Sequence, residues 1–98
     1  MIVKKHSQNN KLVLAICDED LLGKTIEEND LILDLKSDFY RGEEMNETEL
    51  KQLLVSTYII NAVGKKSIDF LKQEKLINSN NINFVNSVPH IQLIIEKN

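Results

Sequence analysis

Ninety-eight residues, 42% of them hydrophobic, with one cysteine and a net charge of −3 leave room for one domain with its own core and exclude an internal disulfide. The N-terminus Met1-Ile2-Val3-Lys4-Lys5-His6 turns polar before an apolar leader core forms, and no apolar run approaches the roughly 18 residues of a membrane span. The sequence therefore predicts a soluble cytoplasmic chain, neither exported nor inserted. Its charge is uneven: residues 1–17 carry +3, residues 18–50 carry −9 and residues 51–98 carry +3. An acidic middle between basic ends speaks against general nucleic-acid binding, which needs a dominant basic face.

In chain order, Ile2 to His6 and Lys11 to Cys17 read as strands flanking the polar turn Ser7-Gln8-Asn9-Asn10, where Asn tolerates positive φ, so the two form a hairpin. In the second strand Leu12, Leu14 and Ile16 oppose Val13, Ala15 and Cys17. Both faces are apolar, the pattern of a strand covered on two sides. Leu31 to Lys36 reads as a third strand with one buried and one half-exposed face. Asn46 and Glu49 have capping-box spacing, and Leu50, Leu53, Leu54 and Tyr58 follow at helical intervals, which predicts a first helix. Thr57 to Gly64 fits either a continued helix or an extended link. A second helix runs from Ala62 or Lys65 to Glu74 and buries Phe70, Leu71 and Ile68. Asn78 to Asn81 is a polar loop. Ile82 to Val85 and His90 to Glu96 complete the set as strands, with Pro89 removing a ladder N–H at the start of the last one. The fold predicted is a single α+β domain over residues 1–98, with about five short strands in a mixed or antiparallel sheet and two helices packed on one face.

The densest group of chemically capable side chains is Cys17-Asp18-Glu19-Asp20-Leu21-Leu22-Gly23-Lys24-Thr25. Gly23-Lys24-Thr25 looks like the end of a phosphate loop, but the first glycine that such a loop needs is replaced by Asp18, whose carboxylate repels phosphate. Asp18, Asp20 and Gly23 match three positions of a calcium loop. Leu22 and Asn29 then stand where the fifth and twelfth ligands belong, leaving weak divalent-metal binding as a lesser alternative. A hairpin turning at Asn9-Asn10 puts Cys17 opposite Ile2 and keeps His6 roughly 13 Å away along the strand, so His6 and Cys17 share no metal. Cys17 with His90 is the one catalytic pair left open. It needs two strand ends to meet, and the neighbouring acids raise the thiol pKa rather than lowering it. Tyr40 and Arg41 read as a recognition pair, and Lys65 with Lys66 beside a helix start as an anion site.

The blocks Cys17 to Lys24, Phe39-Tyr40-Arg41-Gly42-Glu43, Asn61-Ala62-Val63-Gly64 and Val88-Pro89-His90-Ile91-Gln92 together resemble a family of small archaeal proteins catalogued as domain of unknown function 424. The resemblance spans nearly the whole chain in order. It implies an archaeal cytosolic protein with one α+β domain, and it supplies no activity. Arg41, Lys75 and Asn86-Ser87 stand where the resemblance implies glycine. The functional expectation is a non-catalytic binding or accessory module, without cofactor or bound metal. Asp18, Asp20, Lys24, Tyr40, Arg41, Asn61, Lys65 and His90 are its candidate contacts with a protein or ribonucleoprotein partner, in a translation-related setting. The rival is a small enzyme using Cys17 and His90.

Overall fold

The computed structural model describes residues 1–95. The chain opens with β1 (Ile2–Gln8) and β2 (Lys11–Cys17), paired antiparallel with Ile2 opposite Cys17. Asn9 and Asn10 have φ of 54° and 65°, the two positive values that a tight two-residue hairpin turn requires. After a 3-10 turn at Glu19–Leu21 come β3 (Thr25–Glu28) and β4 (Leu31–Asp34), which form a separate two-stranded hairpin. A second 3-10 turn at Asp38–Tyr40 leads to the two-residue β5 (Glu43–Glu44) and to α1 (Glu47–Leu54). The remainder is β6 (Thr57–Val63), α2 (Lys65–Gln73), a 3-10 turn at Ser79–Asn81, β7 (Asn83–Val85) and β8 (Val88–Ile94).

The main sheet has six strands in the order β5-β1-β2-β6-β8-β7. It is mixed, because β2 and β6 run parallel while the other pairs are antiparallel. Val3, Leu14, Ile16, Ile60, Ala62 and Ile91 from the sheet pack with Leu50 of α1 and Ile68, Phe70 and Leu71 of α2. Both helices therefore cover the same face. The opposite face of β2 and β6 presents Cys17 and Val63 to Leu35, with Leu21, Leu22, Ile26, Leu33 and Tyr40 around them. The β3–β4 hairpin and the Asp38–Tyr40 turn thus cap one end of the second face, which explains why β2 is apolar on both sides.

The strand count differs from the five expected. Thr25-Ile26-Glu27-Glu28 has one apolar residue and β5 has none, so neither carries a burial signal. β5 is held by backbone pairing to Ile2 and Val3 and by the Met45 N–H donating to the Met1 carbonyl. The strand expected over Leu31 to Lys36 ends at Asp34, and its Leu31 and Ile32 are 54% and 62% exposed. Its anchor is Leu35, just past the strand end, where the chain turns into the second cluster. Tyr58 belongs to β6, not to α1, which stops at Leu54. β8 begins earlier than expected, at Val88, and the predicted end at Glu96 lies outside the described residues.

Both helix ends follow local chemistry. Asn46 Oδ1 accepts from the Glu49 N–H at 2.8 Å and Glu49 Oε1 accepts from the Asn46 N–H at 3.3 Å, the reciprocal capping box. α2 closes in a Schellman turn: the Leu76 N–H reaches the Leu71 carbonyl, the Lys75 N–H reaches the Lys72 carbonyl, and Lys75 takes φ 61°. Asn86 and Ser87, between β7 and β8, have φ of 47° and 67°. Three of the four residues standing where the resemblance implies glycine thus sit in the left-handed region, where a side chain costs about 1 kcal/mol. Lys75→Gly accordingly raises the unfolding free energy by roughly 0.5–1 kcal/mol, measured by urea denaturation at unchanged m-value.

Candidate functional site

Strand register fixes which side chains share a face. In the sheet Val63 lies opposite His90, which lies opposite Asn83, and one row along Asn61 lies opposite Gln92. Cross-strand partners project to the same side with Cβ atoms about 5 Å apart, so Asn61, Gln92, His90 and Asn83 form a polar quartet over β6, β8 and β7. This quartet is on the face away from the helices, since Ala62 and Ile91, alternate to it, belong to the helix-side core. Tyr40 forms one wall and Leu33 of β4 another, around a hollow of about 270 Å³.

Tyr40 is placed by a short chain of contacts. Ser37 Oγ accepts from the Phe39 N–H at 3.1 Å and caps the 3-10 turn. His6 Nε2 donates to the Phe39 carbonyl at 2.9 Å, and its ring stacks on Phe39 with centroids 4.4 Å apart and planes 11° from parallel. Phe39 in turn meets Tyr40 edge-on at 5.1 Å. His6 therefore ties the turn to β1 and sets the aromatic wall. Burial, with a smaller contribution from Cys17, raises the Tyr40 phenol pKa, keeping it protonated at neutral pH.

Burial lowers the His90 pKa, so its ring is neutral at pH 7. The unfolded chain then takes up this proton more readily than the folded one, so stability is full above pH 6.5 and declines as pH falls through 6.5 toward the folded pKa. Thermal melts of the native protein and His90→Gln across pH 5–7.5 are expected to converge at the acid end, because the variant lacks this loss.

Of the residues singled out in the sequence, Tyr40, Asn61 and His90 come together here. Gln92 and Asn83 complete the hollow and were not among the expected contacts. His90 and Gln92 lie two apart on one strand and so share a face, a signal available in the sequence. Asn83 and the link to Asn61 depend on strand pairing and had none.

Cys17 does not join His90. Both pair with Val63, one from each side, which separates their strands by two spacings, roughly 9.5 Å. The thiol is fully buried, donates to the Asp18 carbonyl at 3.3 Å, and is pushed up to about 12 by burial and then by Asp18 and Asp20. It is a core group rather than a nucleophile. Labelling with a thiol reagent at pH 8 is expected to proceed only through global unfolding, so its rate should rise with urea in step with the unfolding constant.

Asp18 is buried against the start of α2. Its Oδ2 accepts from the Lys66 N–H at 2.9 Å, and its Oδ1 accepts from the Ser67 N–H at 2.8 Å and from Ser67 Oγ at 2.7 Å. The helix start beside Lys65 and Lys66 is thus filled by the protein's own carboxylate. This removes the anion site expected there and removes Asp18 from the contact set. Asp20 and Lys24 are exposed on the turns before β3. Arg41 is exposed and lies 3.6 Å from Asp38, and Lys65 lies 3.9 Å from Asp69 beside a separate groove between α2 and β7. Among the described residues no group of three or more His, Cys, Asp or Glu is placed to hold a metal ion, and no helix is long and apolar enough to cross a membrane.

Among solved structures, the chain is similar to the crystal structure of an uncharacterized conserved protein from Methanopyrus kandleri. The TM-score is 0.77 at 26% identity, over 98% of this chain and 94% of that one. No match is found among curated proteins. A family model described as protein of unknown function matches residues 5–95, and the chain accordingly belongs to that family, DUF424.

Proposed function

We propose that the protein is a non-catalytic cytoplasmic binding module that uses the hollow between the Asp38–Tyr40 turn, β6, β7 and β8 to contact a protein or ribonucleoprotein partner. One observation carries this reading. Tyr40, Asn61, Asn83, His90 and Gln92 converge on one concavity, and the side-chain hydrogen bonds among the described residues involve none of their side chains, whose polar atoms stay open to solvent. Polar groups gathered around a hollow and left unspent by folding are what a recognition site requires. The same side chains lack the activated nucleophile of an enzyme, since the only thiol is buried behind Val63 with a raised pKa.

The acidic surface supplies a second component. Glu19, Asp20, Glu27, Glu28, Asp30 and Asp34 are exposed on the segment that covers this side of the sheet, which favours a basic partner and a salt-sensitive encounter. The basic tail of a ribosomal protein has that chemistry, in keeping with a translation-related role. The test is affinity capture from the native organism with the unmodified chain and with Asn61→Ala/His90→Ala, at low and high ionic strength. Recovery of the same partner should fall about tenfold in the variant and should fall with salt. Recovery unchanged by both would overturn the reading.

A further inference from the structure

We infer that the hollow takes an unpaired nucleobase, with adenine preferred; this rests on reading the hollow as the recognition site. Every residue lining it is uncharged, His90 included, since burial lowers its pKa. An ionised ligand group would find no counter-charge there, whereas a base is uncharged and offers several donors and acceptors in one plane. The polar lining matches that need. Asn61, Asn83 and Gln92 each bring a carbonyl acceptor and an NH₂ donor, and neutral His90 brings one of each. Asn61 and Gln92 face each other across the β6–β8 pair, and His90 and Asn83 do so one row on, so two amide-bearing pairs address one position from adjacent rows. Tyr40 supplies an aromatic wall that Phe39 and the stacked His6 ring hold in place, the element on which an unstacked base packs.

The preference among bases follows from what is missing. On the edge away from the Watson–Crick face guanine offers two acceptors and is read best by Arg or Lys, cytosine offers only its N4 donor and uracil only its O4 acceptor, while the N6 donor and N7 acceptor of adenine pair bidentately with Asn or Gln. The hollow has amides and neither of the other groups. The acidic surface of the covering segment opposes a long phosphodiester, so the base is either that of a free nucleoside or a single unpaired residue presented by an RNA.

The test is a titration of the isotope-labelled full chain, followed through the side-chain amide signals of Asn61, Asn83 and Gln92. The probes are adenosine, guanosine, cytidine, uridine and a short single-stranded oligoadenylate. Saturable shifts are expected with adenosine at the lowest concentration. Weakening of about tenfold is expected in Asn61→Ala and Gln92→Ala, and of similar size in Tyr40→Leu but not in Tyr40→Phe, which keeps the stacking face. Tighter binding of the oligomer than of adenosine would identify RNA as the source, and equal or weaker binding a free nucleoside. Equal or larger responses to the other nucleosides would overturn the adenine assignment. Absence of any response, while partner capture still depends on Asn61 and His90, would overturn the nucleobase and leave the binding module standing. Absence of both would overturn the two together.

Discussion

Asp18→Ala is expected to lower the unfolding free energy by about 3 kcal/mol, seen in a domain of this size as a fall in Tm of roughly 15 °C. The carboxylate accepts from the Lys66 and Ser67 N–H groups and from the Ser67 hydroxyl, and Ser67 is fully buried. Removing it leaves the Lys66 and Ser67 N–H groups without acceptors, because the residue in the N-cap position is Gly64, which has no side chain to supply one. The negative charge at the positive end of the helix is lost as well. Asp18→Asn keeps one acceptor oxygen and should fall between the two. Thermal denaturation of the three proteins checks the order, and a loss in Asp18→Ala below about 1 kcal/mol would mean that water replaces the carboxylate.

Gly64→Ala is expected to cost about 4 kcal/mol through two separate effects. Gly64 has φ 110° and ψ 156°, a region essentially reserved for glycine and worth roughly 1–3 kcal/mol against any other residue. A Cβ at that position would also lie 2.6 Å from both carboxylate oxygens of Asp18. The two substitutions are therefore coupled. In Asp18→Ala/Gly64→Ala the steric part vanishes while the backbone part stays, so the double variant should be about 1–2 kcal/mol more stable than the sum of the singles predicts. Strict additivity, measured by urea denaturation, would show that the close approach is relieved by movement of the loop.

This corner also shows how far the sequence could be read. Cys17 to Thr25 looks like a reactive motif by composition, and its failures as a phosphate loop and a calcium loop are legible from Asp18, Leu22 and Asn29. What Asp18 does instead depends on Ser67, 49 positions away, and no local pattern encodes that distance. The first hairpin and its register, the two-sided burial of β2, the capping box at Asn46 and the C-terminal end of α2 to within one residue follow from local periodicity and turn chemistry, whereas β1 runs to Gln8 rather than His6 and the start of α2, open between Ala62 and Lys65, is fixed at Lys65 by the end of β6. β6 did not, since Tyr58-Ile59-Ile60 fits helical and extended spacing alike and becomes a strand through parallel pairing with β2 and antiparallel pairing with β8. That one ambiguity hid the site. With β6 extended, Asn61 falls beside Gln92 and His90; with β6 helical, it does not. Tyr40, Asn61 and His90 were identifiable as residues, but their convergence, and the dispersal of Arg41, Lys24, Asp20 and Lys65 to other surfaces, are properties of the sheet order.

The most direct test of the hollow as the recognition surface is photocrosslinking in the native cell from a photoreactive side chain introduced at Gln92, which lines the hollow and is exposed. The comparison position is Gln52, exposed on α1, which packs on the opposite face of the sheet. A discrete adduct that forms from position 92, is absent from position 52 and is lost when Asn61 is also changed to alanine is the predicted result. No adduct from position 92, or the same adducts from both positions, would contradict the account.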